Sequence, residues 1–174
     1  MNRIRAVDAG VSAGVILIVG ALAAGWFGLE RAVPTPHTPV AETTYRVGTS
    51  YVGVDFRAPS DWEREPTGRN DVVRFVHRSG SSMSVRLTTG VTDFATAAPR
   101  RLREFEAGGV DAHFTGELRG ARFTGRSCTA TGGGRTGECA VVGRDDLLVT
   151  LLTLRGPDGA VPDMGAVVDS LREA

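Results

Sequence analysis

From Val11 to Leu29 the chain carries no charged side chain, and most of that run reads VILIVGALAAGWFGL. A helix of about 19 residues is ~28 Å long, close to the ~30 Å hydrocarbon core of a bilayer. Such a run must either lie across a membrane or be removed during export. It divides the 174 residues into a stub at 1–10, a span at 11–29, a linker at 30–43 and a body at 44–174. Arg3 and Arg5 precede the span, whereas Glu30 and Arg31 follow it with no net charge. The positive-inside rule then leaves the N-terminus in the cytoplasm and carries the body across, with Trp26 and Phe27 at the outer interface. The alternative is a secretory signal: Ala21-Leu22-Ala23 has the small-x-small pattern, and cleavage near Ala23 would release the body. Gly10 and Gly14 form a GxxxG, but glycine is abundant throughout the chain and the pair sits at the membrane edge.

Residues 30–43 hold Pro34, Pro36 and Pro39, a density that favours extended polyproline II. This segment reads as a spacer of up to ~43 Å. Its lone His37 has no companions with which to hold a metal.

The body is long enough for one domain with its own core. Formal net charge is zero with both signs mixed along the chain, which argues against a nucleic-acid partner. All twenty basic residues are Arg, Lys and Gln are absent, and Asn occurs only at positions 2 and 70. That usage fits a high-GC genome, so single arginines carry little information.

Period-two alternation marks Tyr51–Arg57, Asp71–Arg78 and Met83–Thr89 as strands with one face buried. The period then changes. Phe94, Ala98, Leu102 and Phe105 form one helical stripe, with Asp93 as N-cap and Gly108-Gly109 as stop. Pro99 interrupts it: either Phe94–Ala98 is a separate turn and Pro99 opens the helix proper, or the helix is kinked there. Arg100, Arg101 and Arg103 point mostly away from the stripe, as a solvated face or a basic contact surface.

Beyond the helix, His113–Leu118 reads as a short mixed strand. Ala121–Thr131 and Arg135–Gly143 flank Gly132-Gly133-Gly134. A two-residue turn at Gly133-Gly134 makes opposite positions sum to 267, and Cys128 and Cys139 sum to 267. They fall on neighbouring strands as a hydrogen-bonded pair with Cα atoms ~5.5 Å apart, within disulfide range. Outside the cytoplasm such a bridge persists. Leu147–Arg155 is apolar on both faces, as a central strand should be. Pro162 opens a final helix with Met164, Val167, Val168 and Leu171 inward, and Asp169 and Arg172 outward.

Strands, helix, strands, terminal helix make an α+β domain, an antiparallel sheet flanked by helices. Val54-Asp55-Phe56-Arg57-Ala58-Pro59-Ser60-Asp61-Trp62 resembles the opening of the PsbP/Mog1-like α-β-α sandwich group, with Asp61 where the group usually has Gly. Val167-Val168-Asp169-Ser170-Leu171-Arg172 resembles its closing helix. The chain is also similar to small membrane-anchored proteins of high-GC Gram-positive bacteria. The resemblance covers about Tyr45–Glu173 and implies a fold and accessory or assembly roles; it brings no catalytic residue and no cofactor.

The residues themselves hold no catalytic motif. His77 and His113 are the histidines of the body, with Ser79, Ser127 and Asp111 merely near them in sequence. The glycine triplet lacks the Lys-Ser/Thr of a phosphate loop. The expectation is therefore a non-enzymatic, membrane-tethered module that binds another envelope or secreted protein. The alternative is a small-ligand or sensory domain using a cleft between sheet and helix. Trp62, Tyr51, Arg100, Arg101 and Arg103 are the candidate contact residues. Trp62 at the end of the first strand also fits a core position.

Overall fold

The computed structural model describes Thr38–Pro39, residues 44–159 and residues 161–174. The stub, the span at 11–29 with its orientation and cleavage alternative, and most of the linker including His37 lie outside the described residues. Among the described residues no helix is long and apolar enough to cross a membrane.

The strands are β1 (Thr38–Pro39), β2 (Thr44–Gly48), β3 (Gly53–Arg57), β4 (Glu63–Glu65), β5 (Val72–Val76) and β6 (Ser82–Thr88), followed by helix α1 (Phe94–Ala107). Then come β7 (Val110–Arg119), β8 (Thr124–Gly132), β9 (Arg135–Arg144), β10 (Leu147–Leu154), helix α2 (Met164–Asp169) and β11 (Arg172–Glu173). The larger sheet has the order β1-β4-β5-β6-β10-β9-β8-β7, and its pairs are antiparallel. A smaller sheet has the order β11-β3-β2.

β10 lies centrally, and both of its faces are covered, as its unbroken apolar run requires. On one face Val149 and Leu151 join Val73, Phe75, Met83, Val85 and Val142 in the main core. The small sheet closes that core with Val47, Val54 and Phe56, and α2 adds Met164, Val167 and Val168. Phe75 makes edge-to-face contacts with Tyr45 and Phe56, at centroid distances of 5.1 and 6.0 Å. On the other face α1 lays Leu102 and Phe105 against a cluster containing Ala112, Ala130, Cys128 and Cys139. Ala98 and Phe94 pack nearby with Leu148 and Val141.

The hairpin register is the expected one. Gly133 and Gly134 take φ of 58° and 73°, the left-handed values that a two-residue turn demands. Gly132 pairs with Arg135 and Cys128 with Cys139. The disulfide is formed, and its Cα atoms are 4.8 Å apart, tighter than the ~5.5 Å of an unbridged hydrogen-bonded pair.

Several local expectations change. α1 is one helix with Pro99 inside it, so neither a separate turn nor a fresh start at Pro99 is seen. Asp93 caps it, its side chain accepting from the Thr96 N–H. Pro162 lies before the N-cap of α2, which is Asp163, and α2 ends at Asp169. Arg172 therefore belongs to β11 and not to a helix face. β7 spans ten residues, and a register shift between Phe114 and Gly116 breaks the alternation that sequence periodicity relies on. β4 is Glu-Arg-Glu, with no apolar residue to betray it; pairing to β5 holds it in place. Thr38–Pro39 of the expected spacer pairs with β4. The face opposite α1 is covered by a small sheet together with α2, because β2 and β11 add strands to β3 on either side.

Candidate functional site

Trp62 is not a surface contact. It is 5% exposed and its indole packs against the His77 ring at 5.5 Å. Asp61 turns the chain there with a φ of 66°, and burying the large apolar indole outweighs leaving it wet. Tyr51 does the opposite: it stands 92% exposed in the β2–β3 connection. The two do not form one surface.

The three arginines of α1 also separate. Arg100 and Arg103 are exposed, whereas the Arg101 side chain is 15% exposed. Helical geometry explains this. Position 101 lies three residues after Ala98 and four before Phe105, so it shares the face that packs on the sheet.

Arg101 enters a groove of about 330 Å³ between α1 and the β5–β6–β10 part of the sheet. The rows of the sheet build its floor. Val72, Arg86 and Thr150 are successive cross-strand partners on β5, β6 and β10. In the next row Arg74, Ser84 and Leu152 align and continue into Cys139 and Cys128. The disulfide thus stiffens the half of the sheet on which α1 rests, beside the groove. Phe105 and Val110 supply the apolar wall.

The electrostatics of this groove are unbalanced. Four arginines line it, Arg74, Arg86, Arg101 and Arg135, against the single carboxylate of Glu104. Glu104 is shared by Arg101 and, at 3.6 Å, by Arg86. Arg74 reaches Glu65 at 3.0 Å, and Arg135 donates to the Gly80 carbonyl at 3.1 Å. Two buried polar atoms here have no hydrogen-bond partner: Nε of Arg101 and Oγ1 of Thr150. Thr150 is 4% exposed. A buried polar atom without a partner costs about 1–3 kcal/mol, so two in one groove call for a reason. Thr153 on the same strand shows the usual solution, for its hydroxyl donates to the Glu138 carbonyl at 3.0 Å.

A second cavity, about 910 Å³, is larger and lies between the start of α1 and the ends of β7, β8 and β9. Its charges already have partners: Arg119 with Glu117, Arg144 with Glu173 and Asp145, and Arg126 over the Phe114 ring at 3.9 Å. It is therefore the weaker candidate despite its size.

Of the histidines, His77 meets Ser79 through Nδ1 at 2.8 Å, and Ser79 meets Ser81 at 3.1 Å. Ser81 accepts from the Gly156 N–H at 2.8 Å. That chain holds no carboxylate and ends on a backbone amide, so it fastens a turn to the 156 loop. His113 lies 3.2 Å from Asp111, both well exposed, while Ser127 bonds with Thr115. Among the described residues no three His, Cys, Asp or Glu side chains come together to hold a metal.

Sequence periodicity missed Arg86, Thr150 and Arg135. Thr150 carried a readable signal: it is a polar residue inside Leu-Leu-Val-Thr-Leu-Leu, a strand apolar on both faces.

No family model matches the sequence, and no curated protein matches it. The fold is similar to the solution structure of cyanobacterial PsbP (CyanoP) from Synechocystis sp. PCC 6803, at 16% identity over 72% of this chain and 89% of that one, TM-score 0.44. It is also similar to a crystal structure from Bacteroides thetaiotaomicron VPI-5482, at 14% identity over 70% of this chain, TM-score 0.48. This chain spans 45% of that one. Likeness at this level carries nothing about activity or partners.

Proposed function

We propose that this chain is a membrane-tethered, extracytoplasmic binding domain that holds a small ligand in the groove between α1 and the sheet. The observation that carries this reading is the pair of partnerless buried atoms, Arg101 Nε and Thr150 Oγ1, on two residues that line one groove. The Cys128–Cys139 bridge supports a position outside the cytoplasm, where disulfides persist. Tethering through residues 11–29, with the N-terminus inside, rests on the apolar run and its flanking charges. The assignment to a PsbP/Mog1-like group rests on Val54–Trp62 and Val167–Arg172 and belongs to the same proposal.

Thermal unfolding of the full chain in nanodiscs, against small molecules of every charge type, tests it. Stabilisation by some of them, abolished when Leu152→Trp fills the groove, is the expected result. A uniform lack of stabilisation across the set would overturn it.

A second reading, a module that docks onto another envelope or secreted protein, is favoured by the β2–β3 connection, where Tyr51 and Val52 are 92% and 43% exposed. Cross-linking of the full chain in its own membranes checks it. One stoichiometric partner, lost in Tyr51→Ala, supports the reading; recovery of the protein alone removes it.

A further inference from the structure

The groove reading leaves open what kind of molecule fits, and its chemistry narrows the choice. We propose that the groove takes a small organic anion, its carboxylate, sulfonate or phosphate head held by Arg86, Arg101 and Thr150 and its apolar body lying along Phe105 and Leu152. This rests on the preceding proposal and goes one step beyond it.

Charge is the first argument. Arg86 and Arg101 share the one carboxylate that lines the groove, Glu104, while Asp71, which also feels the charge of Arg86, is held by Arg69, so the groove itself keeps an excess of positive charge. Arg135 adds another guanidinium, which donates to the neutral Gly80 carbonyl. A cationic ligand would be repelled here, and an anion would complete the set.

Donor geometry is the second. Arg101 Nε is a donor without an acceptor, and a guanidinium cannot escape this by losing its proton. Thr150 Oγ1 sits directly across from Arg86 in the sheet and is free to donate or accept. An oxygen-rich head satisfies both atoms. Guanidinium planes suit such heads because they can offer two parallel N–H groups.

The third argument is the wall. Phe105 and Leu152 are half-buried on α1 and β10 and flank the polar floor. A bare inorganic ion would leave them wet, whereas an organic body covers them. A volume of about 330 Å³ is at the small end of ligand pockets, which fits a compact single-ring or short-chain molecule.

The test uses the full chain in nanodiscs, with methyl labels on Thr150 and Leu152 read by NMR. The probes are phenyl phosphate and benzoate, neutral benzyl alcohol, and cationic benzylammonium. The anions should shift both methyls saturably, benzyl alcohol should bind about tenfold more weakly or less, and benzylammonium should not bind. Arg101→Met and Arg86→Met should each erase the preference for anions. Thr150→Val, which keeps the side chain's shape, should weaken anion binding without loss of folded stability. Equal binding of benzyl alcohol and benzoate would overturn the anion assignment while leaving the groove as a ligand site. Failure of every probe to move the two methyls would overturn both. Anion preference surviving in the two arginine variants would overturn the assignment to these residues.

Discussion

The ring of Phe94 lies on Gly143 so closely that a Cβ added there would come within 2.7 Å of its Cδ2. Gly125, on the neighbouring strand β8, approaches the same ring, its added Cβ lying 3.0 Å from Cζ. The first residue of α1 is thus seated in a shallow floor made by two glycines, and this seat fixes where the helix begins on the sheet. Gly143→Ala should destabilise by about 1–3 kcal/mol through overpacking. Because the closest clash is with a side chain, adding Phe94→Leu should recover part of the loss. A double-mutant cycle by urea unfolding measures the coupling, and strictly additive losses would show that the contact does not matter.

The Cys128–Cys139 bridge joins strands already paired by the β8–β9 hairpin. A ring closed over a sequence separation of 11 is worth about 3 kcal/mol on the chain-entropy model. Reduction, or replacement of both cysteines by Ala, should lower unfolding stability by about that amount. The hairpin and its turn should survive, since Gly133 and Gly134 set the register independently of the bridge. Amide exchange in the folded state, compared with and without reductant, would show whether β8 and β9 stay protected.

How much of this was legible in the sequence depended on where the information lay. The hairpin was readable because a turn, two strands and two cysteines lie within a few residues of one another, so counting fixes their register. The stripe of α1 and the doubly covered β10 were readable from period alone. The groove was not. Arg86, Arg101 and Thr150 come from three elements and meet only through the order β6-β10-β9 and the placement of α1 over it. Trp62 could be read as core or as contact, and only its packing against His77 and the main core in the folded domain decides for core. β4 escaped because strand pairing, and no apolar side chain, holds Glu63–Glu65 in the sheet.

Asp61 itself offers a test. It takes a φ of 66°, the left-handed region that glycine occupies freely and other residues occupy at a cost. Its side chain is exposed. Asp61→Gly should therefore raise stability, by up to about 1 kcal/mol once the extra freedom of glycine in the unfolded chain is discounted. Asp61→Val, β-branched and ill-suited to that region, should lower it. A chemical-denaturation midpoint for each variant checks the sign, and a destabilising glycine would mean that the aspartate contributes something beyond its backbone.

Arg46 and Asp55 face each other across β2 and β3, with Nε to Oδ1 at 2.8 Å and Nη2 to Oδ2 at 3.0 Å. The hydrogen bonds from Arg46 are the main reason that the Asp55 carboxyl lies below its ordinary range; partial burial opposes them and the charge of Arg46 adds to them. A carboxylate whose pKa is depressed by folding contributes stability above its unfolded value and loses it as pH falls through the folded value. Asp71, held by Arg69, and Asp93, held by Thr96, shift in the same direction. The domain should thus weaken progressively as pH falls below about 4. Asp55→Asn should be less stable than the native chain at pH 7, and the gap should close as the solution is acidified below that point. The effect should be modest, because the Arg46 side chain is 47% exposed and solvent screens the pair. Added salt should narrow the gap at pH 7 as well. A gap that stayed constant down to pH 2 would assign it to the shape of the side chain and not to its charge.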